Sequence, residues 1–182
     1  MKLTNKLMTI FICIITFAAC TYNFFVKSFT PMAWLDFVFL VFLCIASLSD
    51  FHTMTIPDIC PVCILSAGIL FSIFSPGPLL PRLLGFVVIS LPMLLLALFA
   101  DGFGGGDIKL CAACGFYLGA PLVTLGTLLA AVLAAFFAIL LLLLKKAGRK
   151  DIFCFGPFLS LGFTFSLLFG QSLLDSYLLL LL

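Results

Sequence analysis

The chain has 182 residues, of which 65% are hydrophobic and only 9% charged, with a formal net charge of +2. A mean hydropathy of +1.41 excludes a water-soluble globular domain, which could not carry this composition on its surface. The few, scattered cations exclude a nucleic-acid-binding face and read instead as topology signals.

Seven apolar runs follow one another at about 7–26, 33–49, 59–75, 83–100, 108–120, 122–144 and 153–170, separated by Pro, Gly and charges. A crossing needs roughly 20 residues, so the pattern predicts an all-α, polytopic transmembrane bundle of about seven helices in effectively one domain. Residues 1–30 read as an extra N-terminal transmembrane helix ahead of a membrane-embedded unit at 31–182. Phe17-Ala18-Ala19-Cys20 near the end of the first run also fits a signal peptide with a loose lipobox, but the run continues apolar through Val26. The fifth run is short for a crossing, with a re-entrant helix as the alternative. The tail from Leu173 to Leu182 is too short to span and is expected to prolong the last helix or pack against it.

If the fifth run crosses, Lys2, Lys6, Lys109, Lys145, Lys146, Arg149 and Lys150 share one side and leave Lys27 and Arg82 on the other. The positive-inside rule makes the first side cytoplasmic. The loops at 50–58 and 101–109 then both face the cytoplasm.

These two loops hold most of the chemistry in a chain with seven Asp, no Glu and a single histidine, His52. In Asp50-Phe51-His52-Thr53-Met54-Thr55-Ile56-Pro57-Asp58 an acid follows an apolar run directly, where the helix dipole disfavours it and lipid is near. A solvated interfacial Asp is the plain alternative. In Asp101-Gly102-Phe103-Gly104-Gly105-Gly106-Asp107-Ile108-Lys109-Leu110 four glycines precede an acid at the opening of a helix, where the dipole favours it. The plain alternative here is a flexible loop capped by Asp107. Together the segments fit aspartic hydrolysis, in which two close carboxylates share one proton and repulsion splits their pKa values.

With Phe155-Gly156-Pro157-Phe158 before the last helix, these segments form three motifs in order across about 33–170. The pattern resembles the type IV prepilin peptidases and archaeal preflagellin peptidases, the GxGD group of membrane aspartic proteases. The resemblance implies a catalytic pair, Asp50 and Asp107, that removes short basic leaders from prepilins or pseudopilins at the cytoplasmic face of the plasma membrane. It makes Gly104, Gly105, Gly106, Lys109, Pro57, Asp58 and Asp101 candidates for supporting the pair or touching substrate. No metal or organic cofactor is implied, and the oligomeric state stays open. Larger relatives add a cytoplasmic insert associated with N-methylation. This chain has no room for one and looks like the short, peptidase-only form of Tad/Flp-type systems. It departs from the usual pattern at Asp58, where Asn is common, and at His52, where a cation is common.

Competing uses of the polar residues are fewer. The pairs Cys60-Pro61-Val62-Cys63 and Cys111-Ala112-Ala113-Cys114 have zinc-like spacing, but they sit in apolar helices where packing is the expected role. His52 with Cys60 resembles the accessory-gene-regulator type of membrane cysteine endopeptidase, a rival reading that nothing else supports. A non-catalytic assembly or transport subunit is the alternative from a different class. Asp36 is expected to cap the second helix near the face opposite Asp50, and Asp151 and Asp175 to be solvated or paired.

Overall fold

A computed structural model describes residues 2–27, 30–75, 77–100, 104–143 and 154–181. Their regular structure is entirely α-helical: α1 Lys2–Lys27, α2 Pro31–Thr53, α3 Ile59–Phe74, α4 Leu80–Val88, α5 Ser90–Ala100, α6 Gly105–Leu118, α7 Ala120–Leu143 and α8 Gly156–Leu181. The tail prolongs α8, as one of the two expected outcomes.

The run expected at 83–100 is broken rather than continuous. Pro92 has no N–H for the carbonyl of Val88, and the helix gives way at Ile89. The α4–α5 pair still forms one rod, so eight segments make seven rods. Among the described residues, four stretches are long and apolar enough to cross a bilayer: Pro31–Thr53, Leu80–Phe99, Ala120–Leu140 and Gly156–Leu180. Large apolar side chains such as Phe25, Leu98 and Phe99 face outward, as a multi-pass membrane protein requires.

Helix ends follow local chemistry. Thr30 caps α2 by accepting the N–H of Ala33 at 3.3 Å, and Pro31 follows where a missing N–H costs nothing. Met54, left-handed at φ 54°, closes α2 and returns its N–H to the Asp50 carbonyl at 2.9 Å.

The rods pack around the ring α2–α3–α6–α4–α7–α8, with α1 outside it on α2 and α8. Lipid tails offer no hydrophobic contrast, so close packing must hold such helices together. Phe39, Leu40, Leu43, Ile64, Leu110, Leu159 and Phe163 fill the centre and carry no exposed surface. α4 and α6 cross so tightly that a Cβ on Gly115 would lie 2.0 Å from the Gly85 carbonyl oxygen.

The contacts of α6 fix its direction through the bundle. Its 14 residues rise about 21 Å, and its ends meet opposite ends of α2. Asp107 opens α6 on the side of Asp50, whereas Tyr117 closes it beside Asp36. The segment therefore traverses the bundle instead of re-entering.

Asp36 is not a cap, contrary to expectation. Thr30 takes that role about one and two-thirds turns earlier, which turns Asp36 inward. It is 0% exposed and accepts hydrogen bonds from Tyr117 Oη at 2.6 Å, from Asn23 Nδ2 at 3.2 Å and from Lys27 Nζ.

Candidate active site

Asp50 lies in the last turn of α2, only 7% exposed. The C-terminal dipole of α2 disfavours a carboxylate there. The first turn of α8 supplies what α2 does not: the Gly156 N–H donates to Asp50 Oδ2 at 2.8 Å. A helix N-terminus with a free N–H is a natural anion partner. Glycine is required at this point, because a Cβ on residue 156 would lie 2.7 Å from Oδ2.

Asp107 sits in the first turn of α6, where the dipole favours it. The preceding glycines do different things. Gly104 is extended, and its carbonyl accepts the Asp107 N–H at 3.1 Å. Gly105 faces open space. Gly106 packs on the Ile-Pro segment, with its absent Cβ only 2.9 Å from Ile56 Cβ. Two motifs far apart in sequence thus meet through Gly106 and the buried Ile56, and this contact sets α6 against the loop that follows Asp50.

Burial first, and the charge of Asp50 second, push the Asp107 carboxyl up to about 6. Its Oδ1 is buried without a hydrogen-bond partner among the described residues. Cys154, in the segment leading to α8, is held high by burial and then by the charges of Asp50 and Asp107. Two carboxylates that feel one another in a half-buried pocket can share a proton.

The remaining candidates distribute around this pair. Lys109 Nζ donates to Asp58 Oδ1 at 2.7 Å, with both side chains largely exposed. The extra acid that departs from the usual pattern is therefore paired with a neighbouring cation at the surface. Pro57 is half-buried beside Ile56. Asp101, like Asp151, lies outside the described residues, and Asp175 is exposed on α8.

The rival pair, Cys60 and His52, differs in accessibility. Cys60 has no exposed surface, while the exposed His52 ring lies 3.5 Å from Thr9 Oγ1 on α1. Cys60, Cys111 and Cys114 belong to the packed core, and Cys63 is half-buried. Among the described residues, no three of His, Cys, Asp and Glu gather as a metal site.

Gly156 and Cys154 were missed as site residues by side-chain reasoning. The contribution of Gly156 is a backbone N–H, and the signal that could have found it is the Phe-Gly-Pro-Phe motif.

A multi-pass helical protein with two electrostatically coupled acids at one end of its bundle is the class that fold and site define. Within that class, the sequence pattern of the type IV leader peptidase family matches residues 37–139, and the chain belongs to that family. Curated relatives include the prepilin leader peptidase/N-methyltransferase of Aeromonas salmonicida strain A449, 32% identical over 140 residues that cover 71% of this chain and 47% of that protein. The protein of the same name from Bacillus subtilis strain 168 is 27% identical over 145 residues, covering 77% of this chain and 57% of its own. The chain thus spans about half the length of the curated relatives it matches. No solved structure matches it.

Proposed function

We propose that this chain is an aspartic endopeptidase that removes basic leader peptides from prepilin-like precursors at the cytoplasmic membrane face, with Asp50 and Asp107 as the catalytic pair. The observation that carries this reading is the convergence of the two acids: Asp50 accepts the Gly156 N–H at the end of α2, and Asp107 opens α6 beside it, where Gly106 packs on Ile56 of the loop that follows Asp50.

One carboxylate of the pair is ionised and takes a proton from a water molecule, whose oxygen attacks the scissile carbonyl carbon. The protonated partner donates a hydrogen bond to the carbonyl oxygen as charge develops there. The tetrahedral adduct collapses, the C–N bond breaks, and the departing amine leaves with a proton from the pair. The acids titrate as a unit, so neither is the acid or the base alone. Gly156 holds Asp50 in place through its N–H, and Gly106 seats the start of α6, which carries Asp107, against Ile56.

Substrate type follows from the family and from charge. A basic leader finds an exposed carboxylate at Asp58, for which its cations compete with Lys109. Curated relatives are named for prepilin leader cleavage, and the precursors of this chain are read as Tad/Flp-type pilins or pseudopilins. The cytoplasmic assignment of the site rests on the positive-inside bias of the sequence.

Co-expression with a prepilin from the same genome tests this reading. Leader removal, followed as a mobility shift, is expected for the wild-type chain and lost in Asp50→Asn and in Asp107→Asn. Full cleavage by either variant would refute the pair. Loss confined to His52→Ala or Cys60→Ala would restore the cysteine mechanism, and a wild-type chain inert on every such prepilin would indicate a non-catalytic role.

A further inference from the structure

The two helices that carry the acids do not pack on each other directly; α3 lies beside both, and α8 adjoins both. What bridges α2 and α6 is side chains at the far end. Tyr117 of α6 stacks on Phe39 of α2 with ring centroids 4.5 Å apart, and its hydroxyl donates to Asp36 Oδ1 at 2.6 Å. Asp36 is in turn held on its other oxygen by Asn23 and Lys27 of α1. Asp36 lies about 21 Å of helical rise from Asp50, and Tyr117 about 15 Å from Asp107.

Each helix is thus a lever with an acid at one end and a member of this bond at the other. At the acid end the Gly156 N–H holds Asp50, and the Gly106–Ile56 contact seats the start of α6. A fully buried carboxylate with three donors has few arrangements that satisfy it, so the bond allows little change in spacing.

We propose that Tyr117 and Asp36 are positioning residues for leader cleavage: their bond fixes the spacing of α2 and α6 and so the reach between Asp50 and Asp107. The inference rests on the leader-peptidase reading above. Neither residue touches substrate; both act through the helices.

The test is steady-state kinetics of the full chain in lipid nanodiscs, with a purified prepilin from the same genome. Tyr117→Phe keeps the ring stacked on Phe39 and deletes only the hydroxyl; Asp36→Ala deletes the acceptor. Each is expected to lower kcat about 10- to 100-fold, the penalty of roughly ångström-scale misplacement, with KM changed less than about twofold. The double variant is expected to fall no further than the worse single one. Asp36→Asn is the rescue variant. Its Oδ1 still accepts from Tyr117, its amide can donate to Asn23 Oδ1, now without a partner, once the Asn23 amide flips to present that oxygen in place of Nδ2, and Lys27 can snorkel outward. Its kcat is expected within about threefold of wild type.

A wild-type kcat for Tyr117→Phe overturns the proposal. So does a loss that disappears once rates are divided by the folded fraction, or one that appears in KM alone. Asp50→Asn in the same series separates the two levels. If it cleaves normally, the catalytic reading has failed; if it is inactive while Tyr117→Phe is normal, only the positioning role has failed.

Discussion

Burial and the charge of Asp50 raise Asp107 to about 6, and because the two acids titrate as a unit this is where the proposed pair gives up its shared proton. The active form holds one proton between two carboxylates, so it is lost when the second acid ionises as pH rises through about 6. The rate of leader removal is therefore expected to fall on the alkaline side of a limb near pH 6; a profile flat from pH 5 to 8 would contradict the assignment. The sign for stability is the same. A carboxyl raised above its unfolded value stabilises the fold at low pH, and the gain disappears as pH climbs from about 4 through about 6. Gly156 is the second position at which a single change is informative. In Gly156→Ala the new methyl meets Asp50 Oδ2, α8 must shift, and the N–H is lost to the acid. A drop of about 100-fold in kcat with a retained fold is expected, measured on the monodisperse protein. The acids themselves were legible in the sequence, because carboxylates are so rare in it and each stands at a helix end. Gly156 was visible only as part of a motif, since its contribution is main-chain and no residue type announces it. Asp36 misled for a related reason: an acid near a helix start suggests a cap, but Thr30 and Pro31 began that helix earlier and turned the acid inward.

At the level of elements, hydrophobic runs located every rod, and the departures have named causes. Pro92 splits α4 from α5, which a run of apolar residues conceals. The brevity of α6 left its crossing open in the sequence. Its length is sufficient because it lies inside the bundle, lined by Leu110, Cys111, Cys114 and Tyr117, and need not match the full lipid thickness. Its contact with α4 is the tightest test of this packing. Gly115→Ala places a methyl 2.0 Å from the Gly85 carbonyl oxygen, a backbone atom that cannot rotate away. Loss of about 3 kcal/mol of stability is expected, read as a lower melting temperature in detergent. An unchanged melting temperature would show that the two helices cross less closely. The paired Cys-x-x-Cys spacings carried no such information, as packed thiols and metal ligands share one sequence pattern.

On the scale of the whole molecule, charge placed both acid-bearing loops on one side before any coordinate did, and α6 passing from the Asp50 end of α2 to the Asp36 end agrees with that parity. What the sequence could not provide was how the helices are spaced, because α2 and α6 meet only through side chains such as Phe39, Asp36 and Tyr117. The fold brings three motifs to one end of the bundle: the Asp50 turn with Ile56, the glycines before Asp107, and the Gly156 turn. Their convergence is the reason to treat Asp50 and Asp107 as one unit, and a double-mutant cycle on the rate of leader release probes that most directly. With purified wild type, Asp50→Asn, Asp107→Asn and the double variant, each single change is expected to lower the rate by about 10²- to 10⁴-fold and the double change to add almost nothing. Single losses that multiply in the double variant, or a single variant as fast as wild type, would contradict a shared catalytic pair.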